Sequence, residues 1–322
     1  MKALALTWMP LDTWIVVTAA LAAMACALPG VFLVLRRMSM MGDAISHAVL
    51  PGLAGAFLFT GMRTSGVMFL GAVAVAIAAT LLIHAVHRWG NVESGAAMGV
   101  VFSALFALGL VMLHHATHTQ RVDLDADCVL YGSLELTVLD TWNVWGLVAP
   151  RAAVVLGGAL LLNGLFVAVL FKELRLSSFD AELARALGFC PGLLHVGLMV
   201  VVAITTVAAF EAIGSILVIA MLIVPAATAL LLVHRLAWVV AVSLLVAIAS
   251  AGLGHVAAIG VPPMLGFVDT TTAGSMATVA GVLFAMVLVG STLWRSRARR
   301  ARLDAKARPA DPTPSAQPPS RR

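Results

Sequence analysis

The chain has 322 residues, 61% hydrophobic and 11% charged, with a formal net charge of +5. A water-soluble domain carries roughly a quarter charged residues, so this composition excludes an ordinary globule; its apolar runs are long enough to cross a hydrocarbon layer about 30 Å thick and specify an all-α polytopic helical bundle. Nine of the twenty Lys and Arg lie between Arg295 and Arg322, which argues against a nucleic-acid face, and Cys26, Cys128 and Cys190 form neither a CxxC nor a disulfide pattern.

In chain order, the apolar stretches predict nine spans, near 14–35, 44–60, 66–87, 95–113, 144–170, 192–209, 212–233, 236–259 and 272–293. The first is longer than a signal-peptide core, lacks a basic region beyond Lys2, and is kept as a span. Only Phe210 and Glu211 separate the sixth and seventh, which predicts a tight hairpin reversing at the lone carboxylate. With nine spans, Arg36, Arg37, Arg88, Lys172, Arg175, Arg185 and Arg235 share one side, while Lys2, Arg63 and Arg121 share the other. The positive-inside rule then sets the amino terminus outside and the carboxyl terminus in the cytoplasm. The membrane-spanning region is residues 1–294, and the basic, proline-rich segment 295–322 is expected to be a disordered cytoplasmic tail.

The sharpest local feature is RRMSMMGDAISHAVLPG, Arg36 to Gly52. If a helix begins near Gly42, Asp43 and His47 lie one turn apart on one face with Ser46 beside them, a carboxylate–imidazole pair suited to zinc or manganese. A plainer reading has Asp43 cap the helix while His47 bonds to a neighbouring span. Pro51, Gly52 and the intramembrane Pro225 weaken the helical ladder, as moving joints or as static kinks.

The outer loop, 114–140, carries His114, His115, His118, Asp123, Asp125 and Asp127. These are either contacts for an incoming cation or simply hydrated side chains. Glu211 either lines the mouth of a pathway or faces headgroups and water. The inner loop, 171–191, predicts a short amphipathic helix capped by Ser178 or Asp180 and stopped by Gly188, which fits a docking element for a soluble partner and a merely interfacial helix equally. No GxxxxGK[ST] motif occurs, so an ATP-driven engine would have to be another polypeptide.

Four segments in order resemble the permeases of bacterial ABC importers for zinc, manganese or iron, the ABC-3 family: VLRRMSMMGDAISHAVLPGLA, VLYGSLELTVLD, FDAELARALGF and AIGSILVIAMLIVPAATALLL. The resemblance implies that Asp180, Glu182, Leu183, Ala184, Leu187 and Gly188 dock on an ATPase subunit, and that Asp43 and His47 belong to a metal pathway, for which Ser46 and Glu211 are further candidates from their position in the sequence. It further implies a second, identical or different, permease subunit, an extracytoplasmic metal-binding protein, and location in the bacterial cytoplasmic membrane. The chain itself would hold no permanent cofactor and catalyse nothing; the divalent metal is cargo, and ATP binds the partner. One departure is VDTTTAGSMATV at the start of the last span, where Thr271 stands in place of an expected proline while Asp269, Ala273 and Gly274 keep part of the pattern. A permease for a metal chelate or corrinoid and a proton-driven secondary metal transporter are the alternative readings.

Overall fold

The computed structural model describes residues 9–60, 65–120, 134–144, 147–265 and 270–307. Its elements are α1 (Pro10–Leu35), α2 (Met41–Ala48), α3 (Leu50–Thr60), α4 (Ser65–Gly90), α5 (Ser94–Gln120), α6 (Leu134–Thr137), a hairpin β1 (Thr141–Val144) and β2 (Leu147–Pro150), then α7 (Arg151–Val169), α8 (Phe171–Phe179), α9 (Ala181–Ala186), α10 (Pro191–Ile213), α11 (Ser215–Leu232), α12 (Leu236–Leu265) and α13 (Thr272–Ala307). Among the described residues, nine helical segments are long and apolar enough to span a membrane, with α2 and α3 together making the second. This is the polytopic all-α bundle read from composition, with one small hairpin added.

Helix α1 is the hub. It packs against α7, α10, α11 and α12, while α3, α4 and α5 form a second group that α10 joins through α4 and α2. Lipid tails are as apolar as leucine, so close approach of backbones replaces hydrophobic drive as the glue. At Gly30 an added Cβ would fall on the carbonyl oxygen of Leu222 in α11, and at Gly71 it would lie 2.7 Å from the Gly52 carbonyl oxygen across the α3–α4 contact.

Two prolines interrupt these ladders differently. Pro29, inside α1, has no N–H for the carbonyl of Ala25. The buried Asn163 of α7 supplies the missing donor, its Nδ2 lying 2.7 Å from the Ala25 oxygen, while Thr205 of α10 donates to Asn163 Oδ1 at 3.0 Å. Pro51 instead follows a break at Val49, so the second span is two helices, one carrying Asp43 and His47 and the other crossing the rest of the membrane.

Several boundaries differ from the sequence expectation. Helix α5 runs on to Gln120, so His114, His115 and His118 lie on a helix and not in a loop; no Gly or Pro interrupts the chain between Gly109 and Gly132. The fifth span begins at Arg151, because residues 141–144 pair with 147–150, Thr141 opposite Pro150. The sixth and seventh spans reverse at Gly214 and not at Phe210–Glu211: Gly214 has φ 78° and ψ 165°, a region open essentially only to glycine, so α10 continues through Glu211. Helix α13 extends through Arg295 to Ala307, part of the expected tail, where Ala, Arg, Leu and Lys favour helix.

Candidate functional site

The polar candidate side chains among the described residues lie toward the two ends of the bundle. At one end, α1 stops at Arg36. The Arg37 N–H bonds to the Val34 carbonyl and the Met38 N–H to the Leu33 carbonyl, with Arg37 at φ 58° in the left-handed position usually filled by glycine. This closure turns the chain sharply into α2. There Asp43 Oδ1 lies 3.4 Å from His47 Nε2 across one helical turn, and the Asp43 side chain is 41% exposed. The His47 ring sits against Phe102 and Phe106 of α5, with ring centres 5.6 and 5.7 Å away, which fixes the imidazole without spending a polar contact on it. His47 Nδ1 has no hydrogen-bond partner among the described residues. Ser46 is buried and donates to the Asp43 carbonyl at 2.8 Å, so its hydroxyl serves its own helix.

Beside this pair lies a second polar group that the sequence reading did not single out. His195 of α10 has its ring centre 5.8 Å from that of His84 in α4, and His87 Nδ1 is 2.7 Å from the Val92 carbonyl oxygen, which it reaches as a donor. Histidines inside otherwise apolar spans were the available signal. A cavity of about 900 Å³ opens here, lined in part by His84, His87, Glu93 and Cys190. Arg36 reaches the same region. Burial pushes its pKa below the usual value, although a guanidinium stays charged at neutral pH.

The inner loop folds as two helices at this same end. Asp180 caps α9, its Oδ1 accepting from the Glu182 N–H at 3.0 Å and the Leu183 N–H at 2.9 Å. Gly188, at φ 86°, closes it, with the Phe189 N–H bonding to the Ala184 carbonyl. Ala184 is buried and faces the bundle, while Phe179, Leu183 and Leu187 are 65%, 47% and 61% exposed. A helix outside the spans that turns its large apolar residues outward is an uncovered surface. An open cleft of about 710 Å³ runs beside it, lined by Phe179, Asp180 and Leu183 and by His234 and Arg235 of the α11–α12 turn.

Glu211 lies sixteen residues beyond His195 on α10, about 24 Å away along the axis at 1.5 Å per residue. Arg151 Nη1 is 3.2 Å from Glu211 Oε1 and 3.6 Å from Asp140 Oδ2, and its guanidinium stacks over Trp142. A cavity of about 270 Å³ opens beside these three charges. The fold therefore separates Glu211 from Asp43 and His47. His114 and His115 sit near the end of α5, the side chain of His118 is not described, and Asp123, Asp125 and Asp127 lie outside the described residues. Pro225 is buried within α11, whose helix continues through it.

No group of three or more His, Cys, Asp and Glu among the described residues could hold a metal ion. Asp43 and His47 are thus an adjacent carboxylate–imidazole pair and not part of a closed four-residue cage within the described residues.

Comparison with known proteins agrees with this architecture. The chain is 39% identical over 284 residues to the manganese transport system membrane protein MntD of Bacillus subtilis, covering 88% of this chain and 93% of that one. It is 41% identical over 277 residues to the zinc transport system membrane protein TroD of Treponema pallidum, covering 86% and 73%. Its fold is similar to PsaBC from Streptococcus pneumoniae, solved in complex with Fab, with a TM-score of 0.69 and 28% identity over 87% of this chain and 91% of that one. The ABC 3 transport family matches residues 11–291, so this chain belongs to that family of membrane transport proteins.

Proposed function

We propose that this chain is the membrane-spanning permease of an ATP-driven importer for a divalent transition-metal ion, zinc or manganese ahead of iron, in a bacterial cytoplasmic membrane. The observation that carries the reading is the Asp43–His47 pair, two metal-ligating groups side by side on a broken span of a nine-span chain. The names of the two relatives, one a manganese and one a zinc system, support the same cargo class. A carboxylate and an imidazole accept either ion, so selection between them falls to ion supply and to the protein that delivers it.

Two ligands hold an ion too weakly to trap it, and two copies facing each other would bring Asp43 and His47 twice, completing a four-ligand site across the dimer. Such a site forms and opens as the copies rock, which suits transit better than storage. The exposed apolar face of α9 supports docking of a cytoplasmic ATPase on each copy, and Glu182 and Arg185 supply polar contacts at its rim. Exposed Trp89, Trp238 and Trp294 lie on three helices at this same end, as aromatic anchors do at a membrane interface. Together with the excess of Lys and Arg there, they support placing this end in the cytoplasm and the Glu211 end outside, where a binding protein would deliver the ion. In the mechanism, ATP binding and hydrolysis below α9 alternate access to the Asp43–His47 pair, and no bond of the cargo is made or broken by this chain.

The test is uptake into proteoliposomes holding this chain, its ATPase and its binding protein, with zinc, manganese and iron measured in parallel. ATP-dependent accumulation that His47→Ala and Asp43→Asn each reduce at least about tenfold supports the reading, since each removes half of every chain's ligand pair. ATP hydrolysis without uptake of any bare ion, in vesicles that accumulate a metal chelate, would overturn it. So would uptake driven by a proton gradient with no ATPase present.

A further inference from the structure

The Arg36 side chain reaches three side chains on two other helices. Its Nη2 donates to Ser177 Oγ at 2.8 Å, its Nε to Ser178 Oγ at 3.2 Å, and its Nη1 reaches His195 Nδ1 at 3.5 Å. The polarity is fixed: the Ser177 hydroxyl gives its own proton to the Leu174 carbonyl at 3.3 Å, so its lone pair is free to accept from the guanidinium. Both serines lie in the last turn of α8, which ends at Phe179 next to Asp180, the cap of the proposed docking helix α9. Arg36 itself ends α1, seven residues before Asp43, and the tight closure at Arg37 and Met38 leaves little slack between them. One planar side chain therefore bridges the docking segment, the start of α10 and the turn into the Asp43–His47 helix.

The chemistry suits a rigid joint. A guanidinium offers several donors in a fixed fork, so two bonds to adjacent serines define the direction of α8 as well as its distance. Among the described residues, no carboxylate lies within ion-pair distance of Arg36. Charge neutralisation is therefore not what holds this side chain; geometry is.

We propose that Arg36 is a positioning residue of transport, the strut that carries movement of the ATPase-docking segment to the helix bearing Asp43 and His47. The proposal rests on the function proposed above. It assigns the arginine a mechanical role distinct from the docking surface, which lies on α9, and from the metal pair, which lies on α2.

The test measures coupling, metal moved per ATP hydrolysed, in proteoliposomes holding the full complex with manganese and zinc as probes. Three variants are compared: Arg36→Lys, Arg36→Ala, and the double variant Ser177→Ala with Ser178→Ala. The lysine variant keeps the charge and loses the fork. The expected result is assembly with the ATPase and thermal melting close to wild type, retained ATP hydrolysis, and metal moved per ATP lowered about tenfold in Arg36→Lys and in the double serine variant, the loss of two charge-assisted hydrogen bonds. Adding Arg36→Lys to the double serine variant should cost little more, because both remove the same joint. Coupling equal to wild type in Arg36→Lys or in the double serine variant would overturn the proposal. Failure of every variant to assemble with the ATPase would overturn it too, since Arg36 would then be a folding residue. A wild-type complex that shows no ATP-driven uptake sinks the underlying function instead, and so the two failures are told apart.

Discussion

Replacing Asn163 tests whether the bundle depends on a donor supplied from one helix to a proline-broken bond in another. Pro29 leaves the Ala25 carbonyl without its N–H partner four residues on, and Asn163 Nδ2 fills the gap at 2.7 Å from 138 residues away. Asn163 is fully buried. In Asn163→Leu the branched four-atom skeleton is kept in a bulkier side chain, but the carbonyl faces apolar surroundings. A buried acceptor left unsatisfied costs about 1–3 kcal/mol. Hydrogen bonds measured inside membranes fall lower, about 0.6 kcal/mol on average and up to roughly 1.7. A loss of about 1.5 kcal/mol is expected. Thr205 adds little to it, because its hydroxyl also reaches the Val201 carbonyl at 2.8 Å. The decisive comparison adds Pro29→Ala, which returns an N–H to the ladder. In that background Asn163→Leu should cost about 1 kcal/mol less, read by equilibrium unfolding in mixed micelles through tryptophan fluorescence. Additivity of the two substitutions to within about 0.5 kcal/mol would refute the account.

Three further outcomes follow from packing and backbone geometry. Gly30→Ala drives a methyl group onto the Leu222 backbone, which cannot rotate away, and should destabilise by about 2 kcal/mol or more in the same assay; Gly99→Ala, with nothing within 4 Å, should be neutral or gain up to about 1 kcal/mol from helix propensity. Gly214→Ala forces a side chain into φ 78° and should cost about 1–3 kcal/mol, seen as lowered folded yield in detergent. Leu187→Asp and Glu182→Ala, both at exposed positions of the proposed docking segment, should leave the bundle folded while lowering co-purification of the proposed ATPase partner several-fold; a coupled rate unchanged by both would remove α9 from the proposed docking site.

The span count, the membrane class and the caps of α9 were legible in the sequence because each depends on local quantities. Transfer of an apolar run into lipid needs only its length, Asp180 caps the two N–H groups that follow it, and Gly188 adopts a backbone angle that a side chain would resist. Pairing of Asp43 with His47 was legible for the same reason, since one helical turn separates them. The turn at Gly214 and the extension of α5 were misplaced because a charge or a histidine marks polarity, whereas a helix ends where its backbone can turn. What tertiary structure alone decided is which distant polar groups meet. Glu211 faces Arg151, Asn163 serves Ala25, and Arg36 finds two serines more than 140 residues away, because helix rotation and depth in the bundle set those partners and no local pattern encodes either.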